Sequence, residues 1–378
     1  MGVLNKDELL AGGLSAANAS LGVVANPGPA STKKLRAARA RVRTRSGRGK
    51  ILTLGDSTTA GGTKIMGWPT RMANRLAALG IPALSEDVTG HKLNANAAAY
   101  ANYDPRIAIG AWGYDGTRLS FGSSPWRGNG TTEVFTHTPG VPVDTFVIRY
   151  LTGSGFGSSG IAIDGAAPTT GPATIAAANA TTAWQTAVVK AASVKVQALT
   201  ISKTVTGAFF IGQIYAYDST TPGFDIVNGG WPTSRSNDWA TNTGPFSPIP
   251  TITYEAADLV MIGLGINDWD NGVPLDTYVA NMTAIVTAAR AVSDVMLIIQ
   301  PQTNPNRNAN DAAANQKLYT DAIVTLAAST GSMVFDLQRR IGDFALMNSA
   351  GLMADDVHPN LLGYSDWGDG IADVLARL

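Results

Sequence analysis

Apolar positions in the first and last thirds of the chain follow two alternating rhythms. Residues 51–54 form a short apolar run closed by Gly55, and after Gly61 and Gly62 the segment 68–79 carries Met72, Leu76 and Leu79 at helical spacing before Gly80. That pattern predicts strand, loop and helix. From residue 259 the rhythm returns three times, with strands predicted at 259–262, 295–299 and 333–335. Helices are predicted at 275–292 and 311–328, and a closing helix from Ile371. Strands alternating with helices through short connections imply an α/β fold whose parallel sheet is covered on both faces.

Between roughly 105 and 217 the helical period disappears. Residues 146–151, 160–164, 187–189, 194–201 and 209–215 are β-branched or aromatic runs separated by Gly, Pro, Ser and Thr clusters. Such spacing predicts an all-β sandwich or jelly roll inserted into the α/β unit. Residues 1–32 are rich in Ala, Gly, Asn, Ser and Pro with little periodicity, which reads as an arm. The expected organisation is an N-terminal arm or linker with a basic segment (1–46), a first part of the α/β domain (47–104), an inserted β-sandwich with a possible carbohydrate-binding role (105–218), and a second α/β part (219–378). No fixed-period repeat suggests a solenoid or propeller.

With 378 residues, 45% of them hydrophobic and 15% charged, a sizeable core is within reach. A formal net charge of zero conceals an asymmetry: nine basic residues and no acidic one lie between 33 and 50, so the rest of the chain is net acidic. A basic stripe attracts nucleic acid, anionic glycan or a membrane surface. No aromatic is interleaved here, as single-strand binding would prefer, so nucleic acid is not expected and a solvated helix face or linker is the plainer reading. The absence of Cys excludes thiol catalysis, thiolate metal sites and disulfides. No apolar run approaches the ~18 residues of a membrane span, and residues 1–24 lack the basic start and apolar stretch of a signal peptide, so general secretion is not expected and the compartment stays open.

Three short motifs carry candidate chemistry. Gly55-Asp56-Ser57 follows directly on a predicted strand, which sets Ser57 at the carboxyl end of the sheet, where open α/β folds build their sites. Alone, such a Ser could simply cap the next helix. Asp355-Asp356-Val357-His358-Pro359 stands before the closing helix. A serine hydroxyl is a weak nucleophile until a base takes its proton, and the base needs an acidic partner to hold its tautomer. His91 and His137, the other two histidines, have no acidic companion within three residues; for His358, Asp355 and Asp356 both qualify. Gly263-Leu264-Gly265-Ile266-Asn267-Asp268 ends the strand at 259–262, and the Asn267 amide can point at an oxyanion. Its plain alternative is a helix cap or turn. No spacing suits a metal and no phosphate-cradling Gly-rich loop is present, so neither metal nor cofactor is expected.

In that order, Gly-Asp-Ser, Gly-x-Asn-Asp and Asp-x-x-His-Pro resemble three of the four blocks of the SGNH (GDSL-type) hydrolases, over residues 47–100 and 221–378. The resemblance implies a flavodoxin-like three-layer α/β/α sandwich carrying the insertion, and a serine esterase. Ser57 would be the nucleophile, His358 the base and Asp355, by family spacing, its orienting acid. The oxyanion hole would be formed by the Ser57 N–H, Asn267 and a Gly. Two candidates compete for that Gly: Gly230, in Ile226-Val227-Asn228-Gly229-Gly230, is favoured over Gly113. Asp56 is expected to be structural, turned toward amides of its loop.

The insertion bears on substrate. All-β inserts with exposed aromatics bind sugars, and Trp112, Trp126, Trp184 and Trp231 are available in or beside it, with core packing as their alternative role. Family members with such insertions resemble polysaccharide O-acetylesterases, so an acylated polysaccharide or small ester is the expected substrate. The arm and the Gly/Thr/Asn-rich insert also resemble phage tail or receptor-binding proteins that bear an esterase, which would place the chain outside the cell or on a virion. Alternatives are a non-catalytic glycan-binding or adhesin module and a lipase or thioesterase of the same fold. A homo-oligomer is compatible with all of these.

Overall fold

The computed structural model describes residues 24–90, 97–115, 124–241, 244, 247–310 and 312–378. Residues 1–23 of the expected arm, His91 and the expected helix start at 311 lie outside them.

A seven-stranded sheet organises the α/β unit. Its order across the sheet is Val24–Ala25, Met333–Asp336, Asp294–Ile299, Leu259–Gly263, Gly49–Gly55, Phe224–Gly230 and Ala83–Leu84; every neighbour pair is parallel except the first, which is antiparallel. Because side chains alternate across a strand, each strand feeds two cores. Ile51, Leu259, Met261, Met296 and Ile298 pack on one face beneath helices Lys33–Arg43, Trp68–Ala78 and Leu361–Leu375. Leu52, Leu54, Val260, Ile262, Val295 and Leu297 pack on the other, against Leu275–Val292 and Ala313–Thr330. This is a three-layer α/β/α sandwich.

Two helices depart from the sequence pattern. The segment at 33–43 is a helix packed on the core through Leu35, Ala38 and Val42, not a free arm. The closing helix starts earlier than expected, at Leu361, because three glycines obscure its first half. They are required by close packing: a Cβ on Gly368 would lie 2.6 Å from Arg71 Cβ and 2.7 Å from the Trp68 carbonyl oxygen. The same approach stacks Trp68 on Trp367 with ring centroids 5.3 Å apart.

Between these parts stands an antiparallel sandwich. One sheet runs Thr174–Ala176, Ser158–Ile163, Leu199–Lys203, Val134–His137, Ile107–Ala108, and the other runs Ala183–Lys195, Val143–Thr152, Phe209–Tyr217, Trp126–Gly128, Gly113–Tyr114. Asp87–Thr89 also pairs with Phe209–Tyr217, so strand pairing with the sandwich begins before residue 105. Trp112 and Trp126 belong to the core between the sheets, Trp184 to a small cluster with Leu151 and Phe210, and Trp231 to the α/β core; all are at most 5% exposed. None of the four indoles is therefore an exposed sugar platform: they fill inward positions, where their area stabilises the fold.

Buried charges join sandwich to sheet. Lys64 Nζ reaches Asp87 Oδ2 at 2.6 Å, with both side chains at most 2% exposed, and the same carboxylate oxygen accepts the Asn228 N–H at 2.9 Å. On the other side Arg149 of the sandwich and Lys50 of the central strand both pair with Glu255. Removing one member of a buried pair strands the other. Asp87→Ala is accordingly expected to cost ~3–5 kcal/mol in denaturant-determined stability; a loss under ~1 kcal/mol would mean that the Lys64 charge is solvated after all.

Candidate functional site

The central strand Gly49–Gly55 has Phe224–Gly230 on one side and Leu259–Gly263 on the other, and the chain crosses from one flank to the other. A crevice opens at the carboxyl end of such a switch point. Ser57 is the first residue of the helical turn Ser57–Ala60 that follows the strand. Asp56 caps that turn: its Oδ1 accepts from the Thr58 N–H at 2.9 Å and from Thr58 Oγ1 at 2.8 Å, and its Oδ2 accepts from Gln300 Nε2 at 2.9 Å. Burial pushes the Asp56 carboxyl above the usual range, and the bonds from Gln300 and Thr58 oppose that rise. Its carboxylate is occupied in holding the turn.

Three side chains stand in succession. His358 Nε2 lies 2.9 Å from Ser57 Oγ, and His358 Nδ1 lies 2.9 Å from Asp355 Oδ2 and 3.1 Å from Oδ1. The turn before the closing helix sets this up locally, since Asp355 Oδ1 also accepts the N–H groups of Val357 and His358, each at 2.7 Å. Asp356 points elsewhere, accepting from Asn304 Nδ2 at 2.8 Å. Desolvation raises the Asp355 carboxyl, but the backbone and ring bonds of His358 outweigh it and hold the group below its ordinary value. His358 and Asp355 are 38% and 57% exposed, so the site is open to solvent. His137 lies apart, buried in the sandwich, where desolvation pushes its imidazole down to about 3.

The expected oxyanion donors are placed differently from one another. Asn267, partly buried at the start of helix Ile266–Asp270, donates one amide N–H to the Ser234 carbonyl at 2.9 Å, leaving its second. The Gly230 N–H is engaged by Asn228 Oδ1 at 2.9 Å. That glycine serves contact instead: a Cβ there would sit 2.1 Å from the Ala60 N. Gly113 pairs with Arg127 inside the sandwich. The missed feature is the loop between Gly230 and Ser236. Buried Asp268 pins it, accepting from Ser236 Oγ at 2.6 Å and from the Ser236 N–H at 3.0 Å, and desolvation raises this carboxyl to about 6. Within it Trp231, Ser234, Arg235 and Ser236 spend their N–H groups on Gly55, Trp231, Asp238 and Asp268. Thr233, held at φ +64°, has no N–H partner among the described residues. A non-Gly residue in that left-handed region was the signal available only in three dimensions.

Among the described residues no group of three His, Cys, Asp or Glu side chains gathers as metal ligands would, and no helix is long and apolar enough to cross a membrane.

Residues 207–365 match the GDSL-like lipase/acylhydrolase family. Ser57 precedes the matched stretch, because the insertion separates the first strand from the rest. No curated protein matches the sequence. Among solved structures, a peptidoglycan O-acetylesterase is similar over 94% of this chain and 99% of its own, at 15% identity and a TM-score of 0.74; this is a likeness of architecture. An acetylxylan esterase from Geobacillus stearothermophilus aligns over 39% of this chain and 71% of its own at 20% identity, with a TM-score of 0.32.

The Asp355 turn has a pH signature. A carboxyl whose folded pKa is depressed stabilises the fold above its unfolded pKa and loses that contribution as pH falls through the folded value. The stability difference between the wild-type chain and Asp355→Asn is expected to hold from pH 7 to 5 and to shrink only below about pH 4, the ordinary carboxylate range. Urea unfolding at pH 7, 5 and 3 checks it; a difference that grows on acidification would speak against the turn as described.

Proposed function

We propose that this chain, which over residues 207–365 belongs to the GDSL-like lipase/acylhydrolase family and is a carboxylic ester hydrolase, removes O-acetyl groups from a polysaccharide through an acyl-enzyme on Ser57. One observation carries the reading: a single imidazole bridges the Ser57 hydroxyl and the Asp355 carboxylate at 2.9 Å on each side. In this reading His358 Nε2 takes the Ser57 proton as Oγ bonds to the ester carbonyl carbon, and Asp355 stabilises the imidazolium through Nδ1–H. The imidazolium then gives that proton to the departing sugar oxygen as the C–O bond breaks. Water, deprotonated by the same imidazole, attacks the acyl-serine; acetate leaves and the proton returns to Ser57.

The oxyanion is held by the Ser57 N–H, which as the first position of a helical turn has no intrahelical partner, and by the second amide N–H of Asn267. Thr233 supplies the third donor in place of Gly230, supported by its unpartnered N–H and by the Asn267 bond to the next residue's carbonyl. The solvent-open histidine and aspartate suit a polymer presented from outside, and the shared architecture with a peptidoglycan O-acetylesterase supports an acetylated glycan as the substrate class.

Ser57→Ala is expected to lower p-nitrophenyl acetate hydrolysis and acetate release from acetylated polysaccharides by at least ~10⁴-fold while the thermal midpoint stays within a degree or two. Full turnover in that variant would sink the reading. Asn267→Ala is expected to reduce kcat by ~10²–10³-fold with a smaller change in KM, the pattern of a donor used in the transition state.

A further inference from the structure

The basic segment at 33–50 has no part in the site just described, and the fold divides it in two. Arg41, Arg48 and Lys50 are neutralised by Asp258, Asp225 and Glu255. Arg36, Arg39, Arg43 and Arg45 instead line a groove of about 760 Å³ that contains no Asp or Glu side chain. Positions 36, 39 and 43 fall on one face of helix Lys33–Arg43, so the stripe is set by helical spacing. Arg39 is spent on the carbonyls of Leu375 and Ala376. The side chains of Arg36, Arg43 and Arg45 make no hydrogen bond or ion pair among the described residues, and all three are exposed. Even with a terminal carboxylate counted on Leu378, which also lines the groove, the balance remains positive.

Arg45 adds a second observation. It closes the helix at φ +58°, with its N–H on the Val42 carbonyl and the Ser46 N–H on that of Arg41, a helix end where Gly is the unstrained choice. The chain carries a guanidinium there instead, at the mouth of the groove. The apolar part of the lining includes Val42, Ile81, Pro82, Pro222 and Leu378, with no aromatic ring on which a base could stack.

From this we infer that the groove is a second binding site, for an anionic polysaccharide, whose phosphate or carboxylate groups are held by Arg36, Arg43 and Arg45. The inference rests on the polysaccharide reading of the catalytic site and extends it. Arg45 precedes the amino end of strand Gly49–Gly55 and Ser57 follows its carboxyl end, a separation of about 20 Å along the strand. Groove and triad are thus at opposite ends of the sheet, and the groove anchors the enzyme on the polymer while Ser57 works on an ester of the same or a neighbouring strand.

The test uses calorimetry on the full chain at 50 and 300 mM NaCl with three polymers: polygalacturonate for carboxylate, poly(glycerol phosphate) for phosphate, and neutral dextran. Binding to one or both anionic polymers and not to dextran is expected, weakened by salt and reduced at least tenfold in Arg36→Ala/Arg43→Ala; which polymer binds identifies the anion. Arg45→Gly is the decisive single variant, because it should raise the thermal midpoint by relieving the backbone while lowering affinity, a combination that a structural role would not produce. Ser57→Ala should bind as the wild type does, so failure of the groove and failure of the esterase reading are separately visible. No binding to either anionic polymer, undiminished binding in the arginine variants, or tighter binding to single-stranded DNA than to either polymer would overturn the proposal.

Discussion

A single buried carboxylate holds the candidate site together. Asp56, fully shielded from water, ties the amide and hydroxyl of Thr58 to Gln300, which follows strand Asp294–Ile299 two strands away in the sheet, and so fixes the turn that presents Ser57. Burial alone would favour the neutral acid, and the converging donors are what make an acceptor tolerable there. With the turn fixed, Ser57 stands at the sheet's carboxyl edge, and a histidine 301 positions later meets it at hydrogen-bond distance.

The inserted sandwich is tied to that same edge. Asp87 accepts the N–H of Asn228, whose side chain in turn engages the Thr59 carbonyl and the Gly230 N–H. One continuous chain of hydrogen bonds therefore runs from the Lys64–Asp87 pair to the turn that carries Ser57. A second ionic joint at Arg149 and Glu255 braces the opposite side. Such joints cost desolvation and return orientation, fixing how the insertion sits against the sheet.

Sequence rhythm was enough for the layered part of the fold. Strands at 259–263 and 294–299 and the helix Leu275–Val292 were legible because both faces of each strand and one face of each helix are apolar, a pattern that local composition enforces. The helix Leu361–Leu375 was half hidden, since its glycines answer to distant neighbours, Gly363 to Leu352, Gly368 to Trp68 and Arg71, and Gly370 to Arg340, and not to any propensity of their own. The basic stretch was visible as charge, but which arginines are neutralised depends on Asp225, Glu255 and Asp258, all some 200 residues away.

For the site, the chain by itself determined which residue types could do acyl transfer and in what order they occur, because a nucleophile, a base with its acid, and an amide donor each need a particular functional group. It also placed two acids within three residues of His358, but only the folded turn separates them, with Asp355 on the ring and Asp356 on Asn304. Tertiary structure alone decided which backbone N–H groups remain free: Gly230 was favoured by resemblance to the family's strand followed by Asn and Gly, yet its N–H is taken by Asn228, while Thr233 lies in a left-handed conformation that no propensity would assign it. A backbone donor carries no mark in the sequence, since every residue but proline has one, and only the folded partners of its neighbours reveal whether it is spent.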